Sequence, residues 1–353
     1  MIRICTSLAA EGFEVVLVGR KLKKSIQLKK QNFCQKRFNV FFDKGFLFYA
    51  EFNIRLFFYL LFKKFDAVCS IDLDTILPGI LISKIKKTKR IYDAHELFCE
   101  MAEIKRRPGI YRIWKFIESV TVPHYQNGYT VNAFIASEFK RMYGVNYSVI
   151  RNIAPSNTSL VNSARESFII YQGAVNEGRC FETLIPAMRK VNVPLYIFGD
   201  GNFMSKAKQL VKDYKLENKV KFFGMTEPSE LLKFTSSAIA GLTLFENKTM
   251  NNYYSLANRF FHYMQSATPQ ICMEYPVYKE INDKYNIALL IPEATEENIS
   301  NAINEIVTNK NLWNTLHQNC KKASQELNWQ NESLKLISFY KILFGKESSH
   351  SLP

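Results

Sequence analysis

The chain has 353 residues, with 47 Lys and Arg against 32 Asp and Glu for a net charge of +15, and is 47% hydrophobic. That length and apolar share exclude a small disulfide-stapled module and a low-complexity disordered chain, and they suit two domains of ordinary size. Seven cysteines, an odd number with no Cys-x-x-Cys spacing, indicate neither a disulfide framework nor a zinc site and suit the reducing cytoplasm.

The charge is unevenly placed. Residues 1–150 hold 25 Lys and Arg against 13 Asp and Glu, and residues 151–353 hold 22 against 19. A basic first half favours a partner with phosphates, either a nucleic acid or an anionic membrane surface. No base-reading or stacking module accompanies the positive residues, so no nucleic-acid partner is expected. No signal peptide is read in the opening residues.

Along the first half, Arg3 to Ala10 has a helical pattern, Gly12 stops it, and Phe13 to Val18 reads as a buried strand. Lys21 to Arg37 is a basic, polar linker, either a solvated loop or a contact for phosphates or lipid head groups. Phe38 to Phe65 is unusually aromatic. Its apolar run is shorter than the roughly 20 residues a spanning helix needs, and Glu51 and Arg55 interrupt it, so a transmembrane span is not expected. Two readings stay open: a core helix with a wide apolar face, or a helix whose aromatic rim, flanked by Lys44, Lys63 and Lys64, enters a membrane interface.

Ala67 to Ile71 is the next strand, with Asp74 expected to cap a helix over Thr75 to Ile85 that ends in a run of lysines. Arg90 to Asp93 is a short strand that delivers Tyr92-Asp93-Ala94-His95-Glu96. His95 and Glu96 then lie just past a strand's carboxyl end, where open α/β sheets bind ligands. After a basic loop at Lys105 to Arg107, the pattern gives a helix over Ile110 to Thr121, a strand over Tyr129 to Asn132 and a helix over Phe134 to Tyr143.

Tyr147 to Pro155 reads as the crossing between two domains, with a linker continuing to Ser163. Strand–helix alternation then resumes, with strands at Phe168–Gln172, Leu195–Phe198, Lys219–Phe223, Ala238–Leu244, Gln270–Met273 and Ile287–Ile291. The expected domains are 1–150 and 151–330. A last helix over 331–345 would be anchored by Trp329, Leu334, Ile337 and Phe344, and a frayed tail would follow over 346–353. Three turns draw attention: Gly173 to Arg179, Gly199-Asp200-Gly201 and Phe223-Gly224-Met225. Glu246 and Asn251 sit in a loop before Tyr253-Tyr254-Ser255-Leu256-Ala257-Asn258-Arg259-Phe260-Phe261-His262. Ser255 is expected as the N-cap of a helix whose amide end would hold an anion.

The 253–263 run and the Tyr92 to Glu96 phrase together resemble the bacterial glycosyltransferases of family 4, retaining enzymes with the GT-B fold. That resemblance implies an α/β protein of two Rossmann-like, doubly wound parallel-sheet domains facing a cleft. In that family a strand and its Gly-containing loop precede a segment like the opening of this chain, so the first domain is expected to lack its first strand in this sequence. Either the strand lies upstream of Met1, the favoured reading, or the protein does without it. The resemblance also implies transfer of a sugar from a nucleotide-diphosphate-sugar co-substrate to a glycan or lipid-linked acceptor, with no metal and no further cofactor. Donor contacts would fall on Gly173, Arg179, Gly199, Gly224, Tyr254, Ser255, Asn258, Arg259 and His262. Catalytic contacts would fall on His95, facing the donor sugar, and on Glu96, which would orient His95 or touch the acceptor. Ala257 stands where the family usually has Pro, and His262 where it has a carboxylate for the ribose. Surface polysaccharide or lipopolysaccharide assembly, in the cytoplasm or on the inner face of the plasma membrane, is the implied setting. A weak or silent relative that binds donor without transfer is the alternative. An epimerase of the same architecture would need further acid–base groups that are not identified.

Overall fold

The computed structural model describes residues 1–22, 25, 27–156 and 166–345; Lys23, Lys24, most of the 156–163 linker and the 346–353 tail lie outside the described residues. The chain divides into two compact units, Met1–Arg151 with the segment from Glu332 onward, and Asn152–Asn331.

The first unit opens with α1 (Ile2–Ala10), β1 (Val16–Lys21) and β2 (Cys34–Asn39), followed by α2 (Gly45–Leu61), β3 (Ala67–Ile71), α3 (Ile76–Lys86) and β4 (Lys89–Ala94). Then come α4 (Ala102–Lys105), α5 (Pro108–Thr121), β5 (Gly128–Thr130), α6 (Ala133–Tyr143) and β6 (Ser148–Val149). All pairings are parallel, but the strands form two sheets, β1-β2 and β3-β4-β5-β6. Among the described residues, β1 and β3 each pair with a single strand.

Two expectations change here. The stretch read as a basic linker contains β2, whose register with β1 runs from Val16 opposite Cys34 to Lys21 opposite Asn39. Asp74 does not cap α3; it sits in a 3-10 turn, and Thr75, at the cap position, turns its hydroxyl back to the Ile71 carbonyl at 2.7 Å. Helix α3 approaches the sheet closely because Gly79 has no side chain; a Cβ there would collide with the Ser70 and Tyr125 hydroxyls.

The second unit contains β7 (Ile169–Gln172), α7 (Phe181–Ala187), β8 (Leu195–Phe198), α8 (Met204–Asp213), β9 (Val220–Gly224), α9 (Pro228–Ser237) and β10 (Ala240–Thr243). It continues through α10 (Met250–Tyr253), α11 (Asn258–Gln265), β11 (Gln270–Met273), α12 (Pro276–Tyr285), β12 (Ala288–Ile291), α13 (Glu296–Thr308) and α14 (Lys310–Glu326). Its six parallel strands run in the order β12-β11-β10-β7-β8-β9, so the winding reverses between β7 and β10. This is where a doubly wound sheet opens a ligand crevice at its carboxyl edge. Strands buried on both faces read as continuous apolar runs, which is why Leu195–Phe198 and Gln270–Met273 are where the sequence pattern puts them.

The last helix, α15 (Trp329–Leu343), passes from the second unit to the first, which takes the chain from Glu332 onward. Leu334 is not one of its anchors: it is exposed, while Leu336 and Tyr340 are buried. Within the first unit, Tyr340 packs edge-on against Phe13 at 5.9 Å, and Phe339 against Tyr129 at 5.4 Å. The buried Glu332 carboxylate accepts from the Arg151 amide at 2.9 Å and from Lys335 at 2.7 Å, and it meets the Arg151 guanidinium at 3.4 Å. Glu332→Ala would strand these donors and is expected to cost about 2–4 kcal/mol. Glu332→Gln, which still accepts from the amide, would cost less; urea denaturation of both variants measures the difference.

Candidate active site

In the second unit the carboxyl ends of β7, β8 and β9 converge on three glycines. The Gly173 amide donates to the Phe198 carbonyl at 2.9 Å, and the Gly199 amide to the Gly224 carbonyl at 2.7 Å. Gly173 and Gly199 both have positive φ (123° and 131°), and a Cβ on Gly199 would run into the Gly173 carbonyl. Only glycine allows these two loops to touch. Space is open beside Gly224, where no heavy atom lies within 4 Å of the position a Cβ would take.

Arg259, in the first turn of α11, is 8% exposed. Its guanidinium carbon lies 4.4 Å from the Tyr171 ring centroid and 5.2 Å from that of Phe245, and it lies 3.6 Å from where a Cβ on Gly173 would stand. Arg179 shares the Phe245 ring, at 4.2 Å. Two cations thus rest on one aromatic platform just beyond β10. Burial alone would lower the Arg259 pKa, but the Tyr171 and Tyr263 phenols outweigh it and the net shift is upward, so the group stays charged. Its Nη1 is buried without a hydrogen-bond partner. A desolvated cation with a donor to spare calls for an anion.

Helix α11 is pinned by its own core face. The Tyr263 ring crosses β10 at Gly241, where any Cβ would collide with it, and its hydroxyl reaches the Gln172 amide at 3.2 Å. One residue back along the helix, His262 Nδ1 meets the Gln172 side-chain amide at 3.3 Å, and Gln172 Oε1 accepts from Thr235 at 2.8 Å. The Thr235 hydroxyl also lies 2.8 Å from the Leu231 carbonyl, so the contact accommodates either His262 tautomer with the matching Gln172 amide orientation.

Ser255 is not the N-cap. Its hydroxyl donates to the Asn252 carbonyl at 2.9 Å, closing α10, and α11 begins only at Asn258 after Ala257. The reason is tertiary: the Ala257 amide is drawn to the Tyr278 hydroxyl at 3.2 Å, which keeps residues 255–257 out of the helix. Tyr254, Ser255 and Asn258 therefore occupy the α10–α11 connection and helix start, next to Arg259. Glu246 donates its amide to the Gly178 carbonyl at 3.0 Å, while its carboxylate pairs with Lys248 at 2.7 Å. Gly173, Arg179, Gly199, Gly224, Arg259 and His262 are all brought to one sheet edge. Sequence reasoning missed Phe245, Tyr171, Gln172 and Asn252, whose side chain lies beside Gly178. Phe245 and Tyr171 looked like core residues, and no spacing marks a ring that carries two arginines.

The first unit has a second charged cluster, at the carboxyl end of β3 and β4. His95 Nε2 pairs with the buried Asp93 at 2.9 Å, and the His95 amide donates to Asp72 Oδ1 at 2.9 Å. The carboxylate paired with the His95 ring is Asp93, at the end of β4. Asp72 reaches the site through a left-handed backbone, φ 52°, and its amide donates to the Asp93 carbonyl at 2.9 Å. Burial pushes the Asp72 carboxyl up to about 7, against the lowering pull of His95, and pushes Asp74 up to about 6. For His95, burial works downward, but the hydrogen bond and charge of Asp93, joined by the charge of Asp72, raise it to about 9. A value near 9 favours the imidazolium at neutral pH, in which both ring nitrogens carry a proton.

The comparisons with known proteins agree with this geometry. Residues 157–326 match the family model of the group 1 glycosyl transferases. That match spans nearly all of the second unit and every residue of its glycine and arginine cluster. No curated protein matches the chain in sequence. Among solved structures, sucrose-phosphate synthase from Thermosynechococcus elongatus superposes with a TM-score of 0.79 at 18% identity, covering 98% of this chain and 92% of that one. WaaG, a glycosyltransferase involved in lipopolysaccharide biosynthesis, gives 0.74 at 15%, covering 97% and 94%. Anabaena HepE in complex with UDP-glucose gives 0.68 at 12%, covering 89% and 86%. The fold is GT-B, with mixed α/β units on parallel sheets.

The raised His95 value has a defined consequence for stability. The folded protein holds this proton more tightly than the unfolded chain does. The resulting stabilisation, about 3 kcal/mol for a shift from 6.5 to about 9, is complete below pH 6.5 and lost as the pH rises through 9. The His95 ring resonances are expected to titrate near 9 by NMR. Asp93→Asn should bring the midpoint down by more than one pH unit.

Proposed function

We propose that this protein is a glycosyltransferase that moves a sugar from a nucleotide-diphosphate-sugar to a glycan or lipid-linked acceptor. The observation that carries the reading is the arginine pair on Phe245, with the buried, partnerless Nη1 of Arg259 beside the Gly173 loop. A diphosphate fits this arrangement, because two guanidinium groups donate several charge-assisted bonds to phosphate oxygens and keep their charge at any physiological pH. The amide end of α11, which no side chain caps, adds its partial positive charge.

In this reading the second unit binds the donor. The base and ribose lie toward the open space at Gly224 and toward His262, and Arg179 and Arg259 hold the phosphates. As the bond to the sugar breaks, negative charge grows on the leaving diphosphate, and a preorganised cation pair stabilises that state more than the ground state. In the first unit, His95, held by Asp93 and Asp72, is proposed as a catalytic hydrogen-bond donor, with Glu96 serving the acceptor. Retention of configuration and membership of family 4 follow the motif resemblance. The likeness to WaaG supports a setting in surface polysaccharide or lipopolysaccharide assembly. That setting places the protein in the cytoplasm or on the inner face of the plasma membrane.

Calorimetric titration with a panel of nucleotide-sugars, UDP-glucose first because HepE was solved with it, tests the donor site. Losing one guanidinium–phosphate contact costs about 1.5–3 kcal/mol, so Arg179→Ala and Arg259→Ala should each weaken binding roughly 10- to 150-fold. Unchanged affinity in both variants overturns the site. Donor binding without hydrolysis or transfer to any acceptor would instead favour the silent relative, for which the imidazole at His262 is the motivating departure.

A further inference from the structure

We propose that the outer face of the helix layer α2–α3–α5 is a docking surface for an anionic phospholipid bilayer. Helix α3 packs against both α2 and α5, and Tyr49 of α2 meets Trp114 of α5 edge-on at 5.2 Å, so the three helices form one layer. Each turns a helical stripe of large apolar residues to solvent: Ile54 and Phe58 on α2, Leu81 and Ile85 on α3, Ile113 and Phe116 on α5. All six are more than half exposed, Phe116 to 66%. Single exposed apolar side chains are ordinary, but three adjacent stripes on neighbouring helices make a patch.

The charge around that patch selects the occupant. The ends of α2 and α3 are joined where Lys86 Nζ donates to the Lys63 carbonyl at 2.9 Å. This edge gathers Lys63, Lys64, Lys84, Lys86, Lys87, Lys89 and Arg90 against Asp66 as the acidic residue in the same two segments. On the solvent side of α2, the Glu51 carboxylate is taken up by the Phe41 and Phe42 amides and by Arg55, at 2.8–3.1 Å, so it presents little negative charge outward. Aromatic and aliphatic side chains beside a lysine border are the composition of a surface that sinks into the head-group region of an anionic leaflet. A spanning role is not implied: no helix among the described residues is long and apolar enough to cross a membrane. The proposal stands on the surface of the first unit alone, so its failure leaves the donor reading untouched.

Vesicle co-sedimentation of the full chain tests it, comparing equal parts phosphatidylglycerol and phosphatidylcholine with phosphatidylcholine alone. The protein should pellet with the anionic vesicles, less so as salt rises, and stay in solution with the neutral ones. At about a fivefold effect per lysine near the surface, Lys63→Ala with Lys64→Ala should weaken partition roughly thirtyfold. The combination Phe58→Ser, Leu81→Ser and Phe116→Ser should abolish it while nucleotide-sugar binding persists. If that triple variant does not fold, the lysine pair decides the matter. Equal binding to both vesicle types, or anionic binding unchanged in the lysine variant, overturns the proposal. So does a stable dimer by light scattering that the substitutions dissociate with no vesicle binding at all, since the patch would then belong to a second copy of the chain.

Discussion

The second unit's site depends on keeping a guanidinium charged in a place that water barely reaches. Arg259 is nearly buried, and an isolated cation there would cost many kcal/mol. The ring faces of Tyr171 and Phe245 offset that cost in part through their quadrupoles, each contact contributing on the order of 1–2 kcal/mol when desolvated. The remainder is left open at Nη1. Nearby features are consistent with holding this arrangement. Gly173 and Gly199 let two loops close against each other beside the guanidinium, Gly241 makes room for Tyr263 to lock α11, and the platform ring of Phe245 holds Arg179 next to its partner. Arg259 Nη1 is thus a buried donor left unsatisfied, which is the place the proposed diphosphate would fill.

The first unit solves the same problem with opposite groups. Here the charged side chain is an imidazolium, and its counter-charges are carboxylates at the ends of two adjacent parallel strands. Asp93 is buried and its Oδ2 has no hydrogen-bond partner. Asp72 is raised to about 7 by burial even with His95 beside it. Asp93 contacts the His95 ring directly, and Asp72 takes its backbone amide.

What could be read from the sequence divides along physical lines. The strands Leu195–Phe198 and Gln270–Met273 are where their apolar runs put them, since burial on both faces leaves a local signature, and the helix Glu296–Thr308 follows its one-sided apolar pattern. The strand Cys34–Asn39 was hidden because its residues are half exposed and basic, so it lacks that signature. Ser255 failed as a cap for a reason no local rule contains. A hydroxyl on Tyr278, 21 residues beyond Ala257, takes the Ala257 amide, and the helix starts two residues later than expected. In the site itself, the glycines and arginines were legible through motif spacing, while Phe245, Tyr171 and Gln172 were not. Their work is to hold a cation or orient a ring, which any buried aromatic or amide does at any spacing.

The two charged clusters also constrain chemistry in a way that fold alone does not. A histidine whose proton is held up to a pH of about 9 cannot act as a general base near neutrality, because its acceptor nitrogen is occupied. A base is not required, however, if the leaving group is a diphosphate whose own oxygens accept the acceptor's proton as the bond to the sugar breaks. The protein then has to supply cations that hold the developing negative charge, and donors that keep the sugar oriented. Under the proposed transfer, Arg179 and Arg259 of the second unit would be cations of that kind, while in the first unit Asp93 and Asp72 lie against His95. For the second unit, electrostatic preorganisation is the contribution the arginine pair would make to the proposed transfer.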